Sequence, residues 1–229
     1  LTSRAKIADI ASVFKDEIVA VIGLGGTGSY LLDFLVKTRI KEIRAFDGDD
    51  YHVHNTYRSP GRLTNTELGK SKAEVYKLRY KNFRKGLSTH ARHVDDTSQK
   101  DLEGVTFAFI CVDKGSARSQ IFDLLIKLKI PFIDVGMGLE RNGQVLSGML
   151  RVTYYPIERA GEIRNLDLAE TSDDPENLYR SNIQISELNA LNASLATILY
   201  KKIKNFYTSN DTPVHLLMDL SNLKIFVQQ

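Results

Sequence analysis

Two rhythms of apolar residues run along the chain. The unbroken apolar runs "EIVAVIG" (17–23), "VTFAFICV" (105–112) and "PFIDVG" (131–136) read as strands buried on both faces. "KEIRAF" (41–46) and "STHARHV" (88–94) add two more strands. Between them, apolar residues recur at helical spacing over 27–39, where Leu31, Leu32, Phe34 and Leu35 share a face, then from Ser71 onward and over 115–129. "RAKIADIASVF" (4–14), after a Ser3 cap, has the same spacing. The alternation of strand and helix predicts an α/β fold, a mostly parallel sheet with helices on both faces.

From residue 145 the rhythm changes. "VLSGMLRVTYY" (145–155) predicts a long strand, 156–182 a polar excursion without period, and "ISELNALNASLATILYKKIKNFY" (185–207) a long amphipathic helix. "VHLLMDLSNLKIFVQ" (214–228) closes the chain as a hairpin turning at Ser221-Asn222, so the C-terminal end adds an antiparallel part. A polar loop of roughly twenty residues before Ser71 is long for a compact domain, and such loops are usually functional.

Composition narrows the classes. With 229 residues, 42% of them hydrophobic, and no linker-like stretch, 1–229 reads as a single domain. A net charge of +3 is too mild for the basic stripes of nucleic-acid binders. One cysteine, Cys111, excludes an internal disulfide and a cysteine-cluster zinc site, and its apolar run makes it a buried small hydrophobe. No apolar run reaches the roughly eighteen residues that span a bilayer, and no signal peptide opens the chain, so a cytoplasmic protein is expected. The chain begins at Leu1 rather than Met, which reads as a piece of a longer protein or a processed product.

Chemistry concentrates after the first strand. Gly23, Gly25, Gly26 and Gly28 lie between a strand and a helix, where glycines permit a tight turn and let a phosphate reach the helix N-terminus. Asp47 ends the second strand, where an acid binds ribose hydroxyls. Loop and acid together indicate an adenine nucleotide and suit a dehydrogenase equally well. The next residues discriminate. "DGDDYHVHNTYR" (47–58) carries Asp49, Asn55 and Arg58, and Lys70 and Lys72 follow. Cations here suit a triphosphate, with about four negative charges, better than a nicotinamide. Ser71 and Glu74 form a capping box that makes Lys72 the first helical residue, where a cation opposes the helix dipole unless an anion sits nearby. Asp113 follows the end of an apolar strand; it suits Mg²⁺ and equally an N-cap for the next helix.

Together these residues resemble the ThiF/MoeB/HesA family, adenylating enzymes related to the activators of ubiquitin-like proteins. The resemblance rests on "GLGGTGS" (23–29), on Asp47, Asp49, Asn55 and Arg58, on "LGKSKAE" (68–74), on Asp113 with Arg118, and on the glycine-containing strand and turn "DVGMGLERNGQV" (134–145). It implies a Rossmann-like fold, with the four glycines near the nucleotide, Asp47 on the ribose, and Asn55, Arg58 and Lys72 on the phosphates. Asp113 would engage Mg²⁺, Asp49 would lie near the metal or adenylate, and Arg118 would support the structure. The implied reaction is attack of a C-terminal carboxylate, from a ubiquitin-like or sulfur-carrier protein, on the α-phosphorus of ATP. Residues 156–182 would form the crossover loop that guides that tail, and Arg159, Arg164 and Arg180 are candidates to meet it. A homodimer is implied, and a carboxylate borne on tRNA is an acceptor within the same family.

The departures are informative. Ser59 stands where many relatives have glutamine, the paired CxxC zinc site is absent, and no cysteine occupies the crossover loop. Relatives receive an arginine from an N-terminal segment; Arg4 is the nearest, at a different spacing. His52 and His54 in the loop, and His90 and His93 in or near one strand, read as solvated residues rather than metal ligands. Two other classes stay open: an NAD-dependent oxidoreductase, and a nucleotide-binding scaffold of the same family without turnover.

Overall fold

The structure, a computed structural model, describes residues 7–173, 183–208 and 210–229. Ser3, Arg4 and Arg180 lie outside them. Eight strands form one sheet in the order β3-β2-β1-β4-β5-β6-β7-β8. The parallel half comprises β1 (Ile18–Ile22), β2 (Glu42–Phe46), β3 (Leu87–His90) and β4 (Phe107–Ile110), which leads into β5 (Phe132–Asn142). Antiparallel pairing adds β6 (Val145–Tyr155), β7 (His215–Asp219) and β8 (Lys224–Gln228).

The apolar strands are covered on both faces because neighbouring residues point to opposite sides. Val19, Val21, Ile43, Ala45, Phe107 and Phe109 face one core. There they meet helices α1 (Gly26–Leu35), α3 (Lys72–Tyr80) and α6 (Ser186–Ile203). Ala20, Ile22, Phe46, Ala108 and Ile110 face the other core, with α4 (Gly115–Lys127) and α5 (Ala160–Arg164). The Rossmann-like arrangement with its antiparallel addition is therefore as expected.

Some elements differ in extent. Among the described residues of the first helical pattern a 3-10 turn forms at Ile10–Phe14, and α1 stops at Leu35, where Thr38 Oγ1 bonds the Leu35 carbonyl at 2.6 Å. Strand β5 runs on to Asn142 because its second half pairs with β6 along an unbroken register, Phe132↔Tyr155 to Asn142↔Val145. Gly143, at φ +66°, makes the turn. The loop before Ser71 contains a short helix, α2 (Val53–Thr56). It is tied down by the Tyr51 amide to the Lys70 carbonyl (2.7 Å), the Lys72 amide to the Asp49 carbonyl (2.9 Å), and Arg79, whose Nε bonds Glu67 at 2.8 Å.

Candidate active site

A cleft of about 1090 Å³ opens beyond the carboxyl ends of the parallel strands, where the strand order reverses between β1 and β4. Its lining includes Gly25, Asp47, Arg58, Lys72, Asp113 and Gly136. Residues separated by more than a hundred positions are thus brought to one opening.

The glycine loop forms the base. Gly23 has φ +93°, and a methyl group there would lie 2.7 Å from the Cys111 carbonyl. A methyl on Gly28 would lie 1.9 Å from the Gly23 carbonyl, so the turn closes only with glycine. Gly25 caps α1 without a side-chain hydrogen bond, and a methyl on it would meet nothing within 4 Å. The first-turn amides of α1 are therefore open to an anion.

Asp47, 7% exposed, braces this loop: its Oδ2 accepts from the Leu24 amide at 2.6 Å and its Oδ1 from the Asp49 amide at 2.9 Å. Lys72 is the first residue of α3, as the Ser71 cap predicts; Ser71 Oγ accepts from the Glu74 amide at 3.1 Å. Its cation is matched by two acids, with Nζ 2.7 Å from Asp49 Oδ2 and 3.4 Å from Asp47 Oδ1. Burial tends to raise the Asp49 carboxyl pKa, but the hydrogen bond and charge of Lys72 outweigh it and hold it below the ordinary value. His93 Nε2 lies 3.8 Å from the same carboxylate.

Asn55 is buried, and its Oδ1 accepts from the His52 amide at 2.8 Å, fixing the start of α2. Two residues after that helix, Arg58 is half-buried, and its Nε has no partner among the described residues. Burial lowers its pKa, and the charge of Asp113 works against that. Asp113 does not cap the following helix. The N-cap of α4 is Lys114, and Asp173, from the polar stretch beyond α5, accepts from the Ser116 amide at 3.1 Å. Asp113 is left exposed in the cleft. Lys70 stands apart, outside the lining and 3.7 Å from Glu74.

Arg118 supports the cleft from within. It is 4% exposed, bonding Asp134 Oδ1 at 3.1 Å and the Glu170 carbonyl at 2.8 Å. Arg151 holds Asp134 Oδ2 at 2.6 Å, and Thr153 links Arg151 to His215. Arg159 pairs with Glu162 at 3.1 Å, and Arg164 bonds Ser119 at 2.7 Å. Cys111 lies just past β4, at the cleft, with its thiol pushed up by burial and away from the reactive thiolate. His52, His54 and His93 line the cleft, whereas His90 stacks on Phe46 at 4.6 Å. Among the described residues no His, Cys, Asp and Glu group could hold a metal on its own.

Sequence inspection missed Asn189 on α6, which accepts from Thr27 Oγ1 at 2.8 Å. Its signal was present: Asn189 and Asn192 interrupt the apolar face of that helix at helical spacing.

The ThiF family model matches residues 9–211. The tRNA threonylcarbamoyladenosine dehydratase of Escherichia coli (strain K12) is 27% identical over 178 residues, 76% of this chain and 60% of that protein. The Haemophilus influenzae protein of the same name is 27% identical over 139 residues, 58% of this chain and 52% of that protein. The chain therefore spans only part of the curated relatives it matches. Among solved structures, PaaA superposes with a TM-score of 0.71 at 18% identity, covering 96% of this chain and 66% of that one. E. coli MccB crystallised with ATP superposes with a TM-score of 0.69 at 18% identity, covering 96% and 65%. At such identities the structural likeness is one of fold.

Proposed function

The chain belongs to the ThiF family, and from that membership we propose that it is an ATP-dependent adenylating enzyme. The observation that carries this reading is the convergence on one cleft of the open α1 N-terminus, Asp47, Arg58, Lys72 and Asp113. The cleft suits ATP on two counts: Gly25 leaves room beside bare amides, and Arg58, whose Nε has no partner among the described residues, lines the same space.

In this proposal Gly23, Gly25, Gly26 and Gly28 let the phosphates approach α1. Asp47 takes the ribose hydroxyls; each of its oxygens accepts one backbone amide, and a carboxylate has about four acceptor sites. Asn55, Arg58 and Lys72 neutralise phosphate charge, with Asp49 as the alternative partner of Lys72. Asp113, exposed in the cleft, is the residue that would hold Mg²⁺, which when bound would supply further charge neutralisation. Lys70 takes no contact role. The acceptor carboxylate attacks the α-phosphorus and the bond to pyrophosphate breaks, leaving an acyl-adenylate. A carboxylate is ionised at neutral pH, so no general base is needed, and catalysis consists of alignment and charge stabilisation.

The acceptor we favour is the C-terminal carboxylate of a ubiquitin-like or sulfur-carrier protein, guided by the polar stretch 156–182 of a single domain that works as a homodimer in the cytoplasm. Its support is the family resemblance, and the fold neighbour MccB has been crystallised with AMPCPP and MccA. A second reading, a carboxylate borne on tRNA, is favoured by the 27% identity to the dehydratases. Exchange of radiolabelled pyrophosphate into ATP, stimulated by a Gly-Gly-ending peptide or by tRNA, decides between them. Arg58→Ala is expected to cut exchange by about a hundredfold or more. Preference for NAD over ATP would make the protein an oxidoreductase, and bound ATP without exchange would make it an inactive scaffold.

A further inference from the structure

Residues 57–70, which carry Arg58 from α2 to α3, form neither helix nor strand. One side chain of α3 holds this loop at several points. Arg79 Nε and Nη2 pair with Glu67 at 2.8 and 3.1 Å, and Nη1 donates to the Pro60 carbonyl at 2.9 Å. Nη2 also reaches the Tyr51 hydroxyl at 3.1 Å and the Arg62 carbonyl at 3.2 Å. The guanidinium lies over the Tyr51 and Tyr76 rings, 5.1 and 5.4 Å from their centroids. Ser59, the departure from the family's glutamine, joins the same network, with its Oγ 2.9 Å from the Tyr51 hydroxyl. Glu67 passes the hold along the loop by accepting the Thr64 amide at 2.8 Å, and the hydrogen bond from Arg79 keeps its carboxyl below the ordinary value.

Helix geometry links this network to the cleft. Lys72 and Arg79 stand seven positions apart on α3, the spacing that returns a helix to the same face after about two turns. One helix therefore presents Lys72 to the cleft and Arg79 to the loop that carries Arg58. Arg58 depends on such a hold, because its Nε has no partner among the described residues and its place is set through its main chain. On one side its amide donates to the Asn55 carbonyl at 3.2 Å. On the other side the network grips Ser59 and Pro60. Resting on the adenylation reading, we infer that Arg79 is a positioning residue, which holds Arg58 at a fixed distance from Lys72 so that both cations meet one triphosphate. A guanidinium suits this work, since its five donors form a rigid fork that reaches several acceptors at once. A lysine keeps the charge but offers its donors from a single atom. The loop is thus ordered before the nucleotide arrives, and its cation needs no reorganisation during the reaction.

A double-mutant cycle on pyrophosphate exchange tests this, driven by a Gly-Gly-ending peptide or by tRNA, whichever the wild-type protein uses. Arg79→Lys keeps a cation opposite Glu67 and is expected to lower kcat by about tenfold to a hundredfold, while KM for ATP changes far less. In the Arg58→Ala background the same substitution should have almost no effect, because the group it positions is gone. Amide hydrogen exchange should quicken over residues 58–66 in Arg79→Lys and stay slow in β1 and β4. Ser59→Ala removes one link of the network without unpairing a charge, and should lower kcat in the same sense by a smaller factor, again only when Arg58 is present. A purely structural Arg79 would lower turnover by the same factor in both backgrounds, through the fraction of protein folded. That result, or unchanged hydrogen exchange over 58–66, overturns the inference and leaves adenylation standing. A wild-type protein that catalyses no exchange with either acceptor removes the adenylation reading, and this inference with it.

Discussion

Lys72 sits between two carboxylates, 2.7 Å from one and 3.4 Å from the other, at the end of a helix that disfavours cations. Its contact with Asp49 makes stability depend on pH. The folded-state pKa of Asp49 is depressed below its ordinary 3.8, so the stabilisation is complete above about pH 4 and is lost as pH falls through the folded value. Lys72→Met should therefore be less stable than wild type at pH 7, and the gap should narrow on acidification to pH 3, as read by urea midpoints. A gap that stays constant over that range counts against the ion pair. Arg58 is expected to behave oppositely. Its Nε is buried without a partner among the described residues, so Arg58→Met should keep or raise the melting temperature while pyrophosphate exchange disappears. These side chains were legible in the sequence because each follows a strand end or a helix cap. Asn189 could be seen to interrupt the apolar face of α6, but its partner could not, since Thr27 is distant in the chain and near only once the helices pack. The occupied state of Asp47, with both oxygens on backbone amides, was equally invisible.

The glycine turn divides into structural and functional members at the level of the β1–α1 unit. Gly28→Ala should unfold the protein or lower its melting temperature sharply, because the methyl would sit 1.9 Å from the Gly23 carbonyl. Gly25→Ala, facing open space, should melt within a degree or two of wild type and yet lose ATP affinity at least tenfold. A Gly25→Ala protein with normal ATP affinity would place the phosphates elsewhere. Elements whose signal is local were readable: the Ser71 cap, the β6 strand, and the hairpin turning at Ser221-Asn222. Those that depend on a remote partner were not. The apolar rhythm of β5 stops at Gly136, and its continuation through Glu140 and Arg141, held by β6, was readable only through the family resemblance; α4 is capped by Asp173 rather than by the adjacent Asp113.

Across the whole molecule, Asp134 joins the parallel half to the antiparallel addition. It is fully buried on β5 and holds Arg118 from α4 and Arg151 from β6. Asp134→Asn would leave two guanidinium groups facing a neutral amide, and should cost about 3–5 kcal/mol in urea unfolding. A loss below about 1 kcal/mol would mean that the two halves are held together chiefly by their apolar cores. The contact between Thr27 and Asn189, 162 residues apart, bears on how the protein is made. The glycine loop leaves the ribosome well before α6, and Leu31, Leu32 and Leu35 stay without their α6 neighbours until that helix emerges. At a synthesis rate of about 5–20 residues per second the delay is roughly ten to thirty seconds. A nascent chain ending before residue 186 already carries every phosphate-binding side chain proposed for it. Such a chain should still fail to retain ATP, so that competence appears only once α6 has emerged.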